Sequence, residues 1–289
     1  MHRSNRVKTT IQITPAQRIA ASSFKCLFLV HGLWLLVACA SVSEKLEQTA
    51  LQYGFRKILL SGTLYEHVAF ENHAHEAGNR LHIYLEGDGT PWLARKRVAS
   101  DPTPRNPLML GLMALDSSPS LYLGRPCYHG FSETPACDPL LWTHRRYSAE
   151  VVDSMTAALR NYLRNHNHSR LVFCGHSGGG TLAVMLASRF PETVAVITLA
   201  GNLDIDRWIR YHGYSPLEGS KNPAKLPPLA SGVKEIHYVG EKDTNVLPEF
   251  VVPRSRSRAG IEVSIVKDFD HNCCWDKIWS SVLNQLADY

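Results

Sequence analysis

The chain has 289 residues, of which 44% are hydrophobic and 20% charged, enough apolar material for a sizeable α/β core. Its 31 basic and 26 acidic residues give a net charge of +5, but five of the basic residues and none of the acidic ones fall within residues 1–38. Without that segment the balance is 26 against 26, which removes the charge argument for a nucleic-acid or anionic-surface partner.

Chain order begins with that basic segment. After Lys25 comes a thirteen-residue run, Cys26–Ala38, apolar but for His31, too short to span a bilayer comfortably and suited to the hydrophobic part of a signal peptide. It ends Leu36-Val37-Ala38-Cys39, which resembles the lipobox of bacterial lipoproteins. The resemblance implies cleavage before Cys39, lipidation of that cysteine, and a mature chain of 39–289 anchored in the cell envelope. Ala40 in place of aspartate implies the periplasmic side of the outer membrane. An ordinary secretory leader and an uncleaved anchor are the alternatives.

Downstream, helical and strand patterns alternate. A helix is expected over 43–53, strands near 56–60, 64–70 and 80–86, a helix over 107–115 and a short strand at 121–123. A long amphipathic helix follows at 148–164. Strands are then expected at 171–174, 194–199, 233–239 and 261–266, with a closing helix at 275–287. Strands separated by helices imply parallel pairing with helices on both faces of one sheet. Cys127 and Cys137 stand ten apart in a Pro-rich loop and are expected to pair in an oxidising compartment. Cys174 either is simply buried or bridges to Cys273. No Cys-x-x-Cys or other metal spacing occurs, and no cofactor is implied.

Leu171-Val172-Phe173-Cys174-Gly175-His176-Ser177-Gly178-Gly179-Gly180 carries the chemistry. An apolar run enters Gly-x-Ser-x-Gly, and a helical stretch (181–190) leaves it, the context of a nucleophile elbow. Glycines flank the serine because a Cβ two residues before or after it would collide with the neighbouring strand or helix. A Gly-rich phosphate turn is the competing reading, but no Gly-Lys-Ser/Thr follows.

With these elements in order, the chain resembles the α/β hydrolases over most of its length. The resemblance implies an α/β-hydrolase fold and a triad in the order Ser177, Asp243, His271. Asp243 follows the strand ending at Val239, and His271 follows the strand 261–266. Asp204 and Asp206 are alternative acids after the strand 194–199. His176 is expected to be a packing or pocket residue and not the base, because an elbow neighbour points away from the serine hydroxyl. Asp268 and Asp270 are expected to shape the His271 loop. The resemblance also implies oxyanion donors at the backbone N–H groups of Gly178 and Asp88. Glu86 and Asp88 place two carboxylates beside that position, and are expected to face loop N–H groups or solvent.

Residues 202–229, rich in Trp, Tyr, Pro and Gly, sit where such proteins insert a cap, here too short for a helical cap domain. Trp208, Tyr211 and Tyr214 either line a substrate pocket or stiffen a surface loop. The loop 90–107, with Trp92, Arg95, Lys96 and Arg97, either binds an anionic group of the substrate or is a solvated face, the commoner case for such a charge run, and the Arg254–Arg258 cluster is expected to be solvated. The implied function is a lipid-anchored serine hydrolase cleaving a small-molecule carboxylic ester or thioester. An amidase, peptidase or acyltransferase on the same triad is a second reading, and a catalytically silent envelope module a third.

Overall fold

A computed structural model describes residues 40–74, 78–94, 96–256 and 259–286. The chain divides at Ala40, and the elements named below belong to the unit from Ser41 onward. Cys39, the leader, Arg95 and Arg258 lie outside the described residues, so the lipobox reading does too.

In chain order the regular elements are α1 (Val42–Gln52), β1 (Arg56–Ser61), β2 (Glu66–Glu71), β3 (Arg80–Leu85), β4 (Trp92–Leu93), β5 (Arg97–Val98) and α2 (Leu108–Met113). Then come β6 (Ser120–Leu123), α3 (Ala149–Leu163), β7 (Arg170–His176), α4 (Gly178–Ala187), β8 (Thr193–Leu199) and α5 (Ile205–His212). The chain closes with β9 (Lys234–Gly240), α6 (Pro248–Val251), β10 (Ile261–Val266) and α7 (Asp276–Leu286). Eight strands form one sheet in the order β1-β2-β6-β3-β7-β8-β9-β10. Strand β2 runs antiparallel to both its neighbours, and every other pairing is parallel. β4 and β5 pair separately as a small hairpin.

The strands alternate between two cores, as a period of two requires when both faces are covered. On β3, Leu81, Ile83 and Leu85 join the core under α3 and α4, while Tyr84 joins the one under α1, α2 and α7. On β7, Leu171 and Phe173 face the first core, Val172 and Cys174 the second. Helix ends follow local chemistry. Ser41 caps α1 in a full capping box with Glu44, and the Ser148 hydroxyl accepts from Val151 N at the start of α3.

Two differences from the sequence expectation have physical causes. Helix α4 begins at Gly178, directly at the elbow, and not at Thr181, because three successive glycines there tolerate close packing where propensity argues against a helix. α5 lies in the segment expected to be a short cap or surface loop: Ile205, Trp208 and Ile209 stand at the helical i, i+3, i+4 spacing, but eight residues in a Pro- and Gly-rich stretch are short for that pattern to decide. Of the two states expected for Cys174 the buried one is found: it is a free thiol, and Cys273 is bonded to its neighbour Cys274, so no bridge joins the elbow strand to the His271 loop. Cys127 and Cys137 form the expected disulfide, with Cα atoms 5.6 Å apart. Among the described residues no helix is long and apolar enough to cross a membrane.

Candidate active site

The site lies beyond the carboxyl ends of β3, β7, β9 and β10, where parallel sheets leave room for ligands. β7 delivers Ser177 on a turn too sharp for an ordinary backbone: its φ of 53° and ψ of −120° place a non-glycine residue in left-handed territory. The turn closes only because its flanks lack side chains. A Cβ on Gly175 would overlap the backbone of Gly179, and one on Gly179 would overlap the Leu85 carbonyl of β3.

Around Ser177 the structure brings together the residues expected from the sequence. Ser177 Oγ is 3.0 Å from His271 Nε2, and His271 Nδ1 is 2.8 Å from Asp243 Oδ2. Asp243 is buried, and its other oxygen accepts from the backbone N–H groups of Asn245 and Val246 at 2.8 and 2.9 Å. The alternative acids are engaged elsewhere. Asp204 caps α5 by accepting from Arg207 N, and Asp206 pairs with Lys225. His176 is buried, and its Nε2 donates to the His271 carbonyl at 2.8 Å. Trp275 Nε1 donates to the same carbonyl at 3.1 Å, so two side chains hold the His271 backbone. Burial, with the neighbouring His271, lowers His176 from 6.5 to about 4, which keeps it neutral near pH 7. Asp270 accepts from the N–H groups of Asn272 and Cys273, and Asp268 pairs with Lys242; both belong to the loop's frame.

The loop after β3 holds its two carboxylates differently. Glu86, buried, accepts from Gly87 N at 3.2 Å and Met109 N at 2.9 Å, the N–H contacts expected of it. Burial lifts its carboxyl from 4.5 to about 7 against those hydrogen bonds. Asp88 departs from the sequence expectation: its carboxylate faces neither loop N–H groups nor open solvent. Arg125 Nη2 approaches one of its oxygens at 2.9 Å, Arg146 Nη1 the other at 2.8 Å, and the Tyr147 hydroxyl lies 2.7 Å from both. Burial alone would raise this carboxyl, yet the two guanidinium groups and Tyr147 bring it down to about 2. Its charge is therefore neutralised beside the serine. Asp88 packs so tightly against Gly178 that any Cβ there would overlap its carboxylate. The Tyr128 hydroxyl donates to the Asp88 carbonyl at 2.9 Å, fixing the backbone of the loop. Gly178 is the first residue of α4, so its N–H is among those a helix leaves without an internal acceptor.

A half-open cleft of about 340 Å³ is lined by Trp92, His144, Arg146, Trp208, Tyr214 and Leu217, with Ser215. The sequence pointed to Trp208 and Tyr214, but not to their meeting with Trp92 from the β4–β5 hairpin. Trp208 and Tyr214 stand 4.9 Å apart by ring centre, and Trp92 meets His144 edge-on at 6.3 Å. The cleft touches the site from two sides: Arg146 through Asp88 to Gly178, and Trp208 through Asn245 to His271. Of the basic residues expected to be solvated, Lys96 and Arg97 are exposed. Arg254 is not: it pairs with Glu235, which points inward on β9 and needs a counter-charge there. Among the described residues no cluster of three or more His, Cys, Asp or Glu could hold a metal ion.

Residues 126–266 match the family described as alpha/beta hydrolase fold. An esterase of Pyrococcus furiosus superposes with a TM-score of 0.55 at 13% identity, covering 81% of this chain and 90% of that one. A carboxylesterase of Bacillus subtilis gives 0.54 at 12%, covering 86% and 100%. A serine hydrolase of Xanthomonas campestris described as lacking a lid gives 0.51 at 11%, covering 80% and 94%. No curated protein matches the chain in sequence. At these identities the likeness is one of fold, and the fold is that of the α/β hydrolases.

Proposed function

We propose that this chain of α/β-hydrolase fold is a serine hydrolase that cleaves a carboxylic ester or thioester through an acyl-enzyme on Ser177. The observation that carries the reading is the continuous line from Ser177 Oγ through both nitrogens of His271 to buried Asp243, at 3.0 and 2.8 Å. A serine hydroxyl is a weak nucleophile until a base takes its proton. His271 Nε2 takes that proton as Oγ adds to the carbonyl carbon. Asp243 holds the ring by Nδ1–H and stabilises the imidazolium. The N–H groups of Gly178 and Asp88 receive the developing oxyanion. The carboxylate of Asp88 does not oppose this, because Arg125 and Arg146 neutralise it. The imidazolium then protonates the departing oxygen or sulfur, and water repeats the sequence in reverse to free the acid.

The aromatic cleft is the cavity in direct line with both ends of this machinery, and it suits an apolar limb of the substrate. The reading extends to location: Cys39 carries a lipid, and the domain works at the envelope membrane. Each half has its own test. Wild type and Ser177→Ala are compared on matched ester, thioester and amide substrates. The reading requires ester or thioester turnover that is lost in the variant, and amide turnover of equal rate would favour a peptidase. Separately, mass analysis of Cys39→Ser expressed with its leader must find no acylated N-terminus.

A further inference from the structure

Asn245 joins the acid, the base and the cleft. Its backbone N–H binds Asp243 Oδ1, and its carbonyl lies 2.8 Å from His212 Nε2. Trp208 Nε1 lies 3.1 Å from Asn245 Oδ1, and Asn245 Nδ2 lies 3.0 Å from His271 Nε2. The indole N–H can only donate, so the amide atom that meets it must be the oxygen, and the amino group is turned to His271. Two donors, the Ser177 hydroxyl and the Asn245 amino group, thus converge on a nitrogen that has one lone pair.

That arrangement is poor for the resting site and good for a later one. Once Nε2 has taken the serine proton it has become a donor itself, and it faces the Asn245 amino group, which cannot accept. An oxygen placed between them, receiving from both, relieves the clash. The oxygen that approaches Nε2 at that moment is the leaving oxygen of the ester.

Resting on the reading of Ser177 as nucleophile, we propose that Asn245, locked by Trp208, is a further catalytic hydrogen-bond donor to the leaving oxygen, and that the aromatic cleft holds the planar alcohol limb attached to that oxygen. As the tetrahedral adduct collapses, the bond from carbon to the leaving oxygen breaks and its electron pair stays on that oxygen. The oxyanion re-forms the carbonyl, and the Nε2 proton passes to the leaving oxygen. Asn245 transfers no proton; it stabilises the charge until the proton arrives. Trp208, which holds the amide, also walls the cleft, so a limb leaving from Asn245 runs between Trp208, Tyr214 and Trp92. Among the described residues the one guanidinium in that lining, Arg146, is already paired with Asp88, so the cleft suits an uncharged aromatic alcohol better than an anionic one.

The test is a series of acetate esters: 4-nitrophenyl, phenyl, benzyl and ethyl. Donation to the leaving oxygen matters most where that oxygen is most basic. In Asn245→Ala, kcat/KM is expected to fall about 100-fold for benzyl and ethyl acetate, the cost of one such donor, and far less for 4-nitrophenyl acetate. Trp208→Phe, which keeps a ring but loses the N–H, is expected to steepen the same dependence, and it carries the test if Asn245→Ala fails to fold. Benzyl and ethyl alcohol have similar basicity, so their ratio reads the limb alone. Trp92→Ala is expected to lower the benzyl-to-ethyl ratio of kcat/KM about tenfold. A loss uniform across the series, or none, overturns the role of Asn245; an unchanged ratio overturns the placement of the limb. If the wild-type serine does not react at all, the proposed function has failed, and that outcome is distinct from either.

Discussion

At Ser177 the cost of the site can be read from a single residue. Its φ of 53° is a conformation glycine adopts freely and serine does not. Ser177→Gly is therefore expected to raise stability by about 1 kcal/mol in denaturant unfolding while abolishing activity. A variant no more stable than wild type would mean that the elbow is unstrained. Glu86 stores a second effect. Burial lifts its carboxyl to about 7 from 4.5, so the folded state holds the proton more tightly than the unfolded one. Its contribution to stability is then full below about 4.5, declines as pH rises to about 7, and is flat above. Buried His67, His129 and His176 work the opposite way: each is lowered to about 4, so their contribution is lost as pH falls below 6.5. The difference between wild type and Glu86→Gln isolates the carboxyl. The melting temperature of wild type should drop more between pH 5 and 8 than that of the variant, and equal drops would refute the assignment.

The elbow also makes its demands on the scale of whole elements. β3, β7 and α4 meet at glycines because no side chain fits between them. Gly179→Ala, whose Cβ would overlap the β3 backbone, should cost about 3 kcal/mol and shift the melting curve accordingly, whereas a neutral result would show that α4 can slide. This is also where sequence reading works best. Gly-x-Ser-x-Gly between an apolar strand and a helix is a local pattern, and β10 was legible at its observed bounds, 261–266, because it is bracketed by turn residues. The chain order of Ser177, Asp243 and His271 could be read because each follows a strand. What could not be read is what depends on distant pairing. Arg125 and Arg146 reach Asp88 from 37 and 58 residues away, and neither spacing carries a signal. The strands β4 and β5 have two residues each, too few to show a period, so the hairpin that brings Trp92 to the cleft was invisible. Asn245 stood in plain sight two residues after Asp243, but its meaning depends on Trp208, 37 positions earlier.

For the molecule as a whole, the eight-stranded sheet gathers at one end the loops after β3, β7, β9 and β10, and buries two cores behind them. The site's charges are balanced internally: Asp88 by two arginines, Asp243 by backbone N–H groups and His271. Preorganised polar groups of this kind cost stability to assemble and repay it when charge develops on a substrate. Every functional role assigned to these residues depends on Ser177 being an activated nucleophile. The most direct test is reaction of the purified protein with a fluorophosphonate, followed by mass mapping of the labelled peptide in wild type and in His271→Ala. A single phosphonyl adduct is expected on Ser177, formed in wild type and lost in the variant. A folded wild-type protein that stays unlabelled, or one labelled equally without His271, would contradict it.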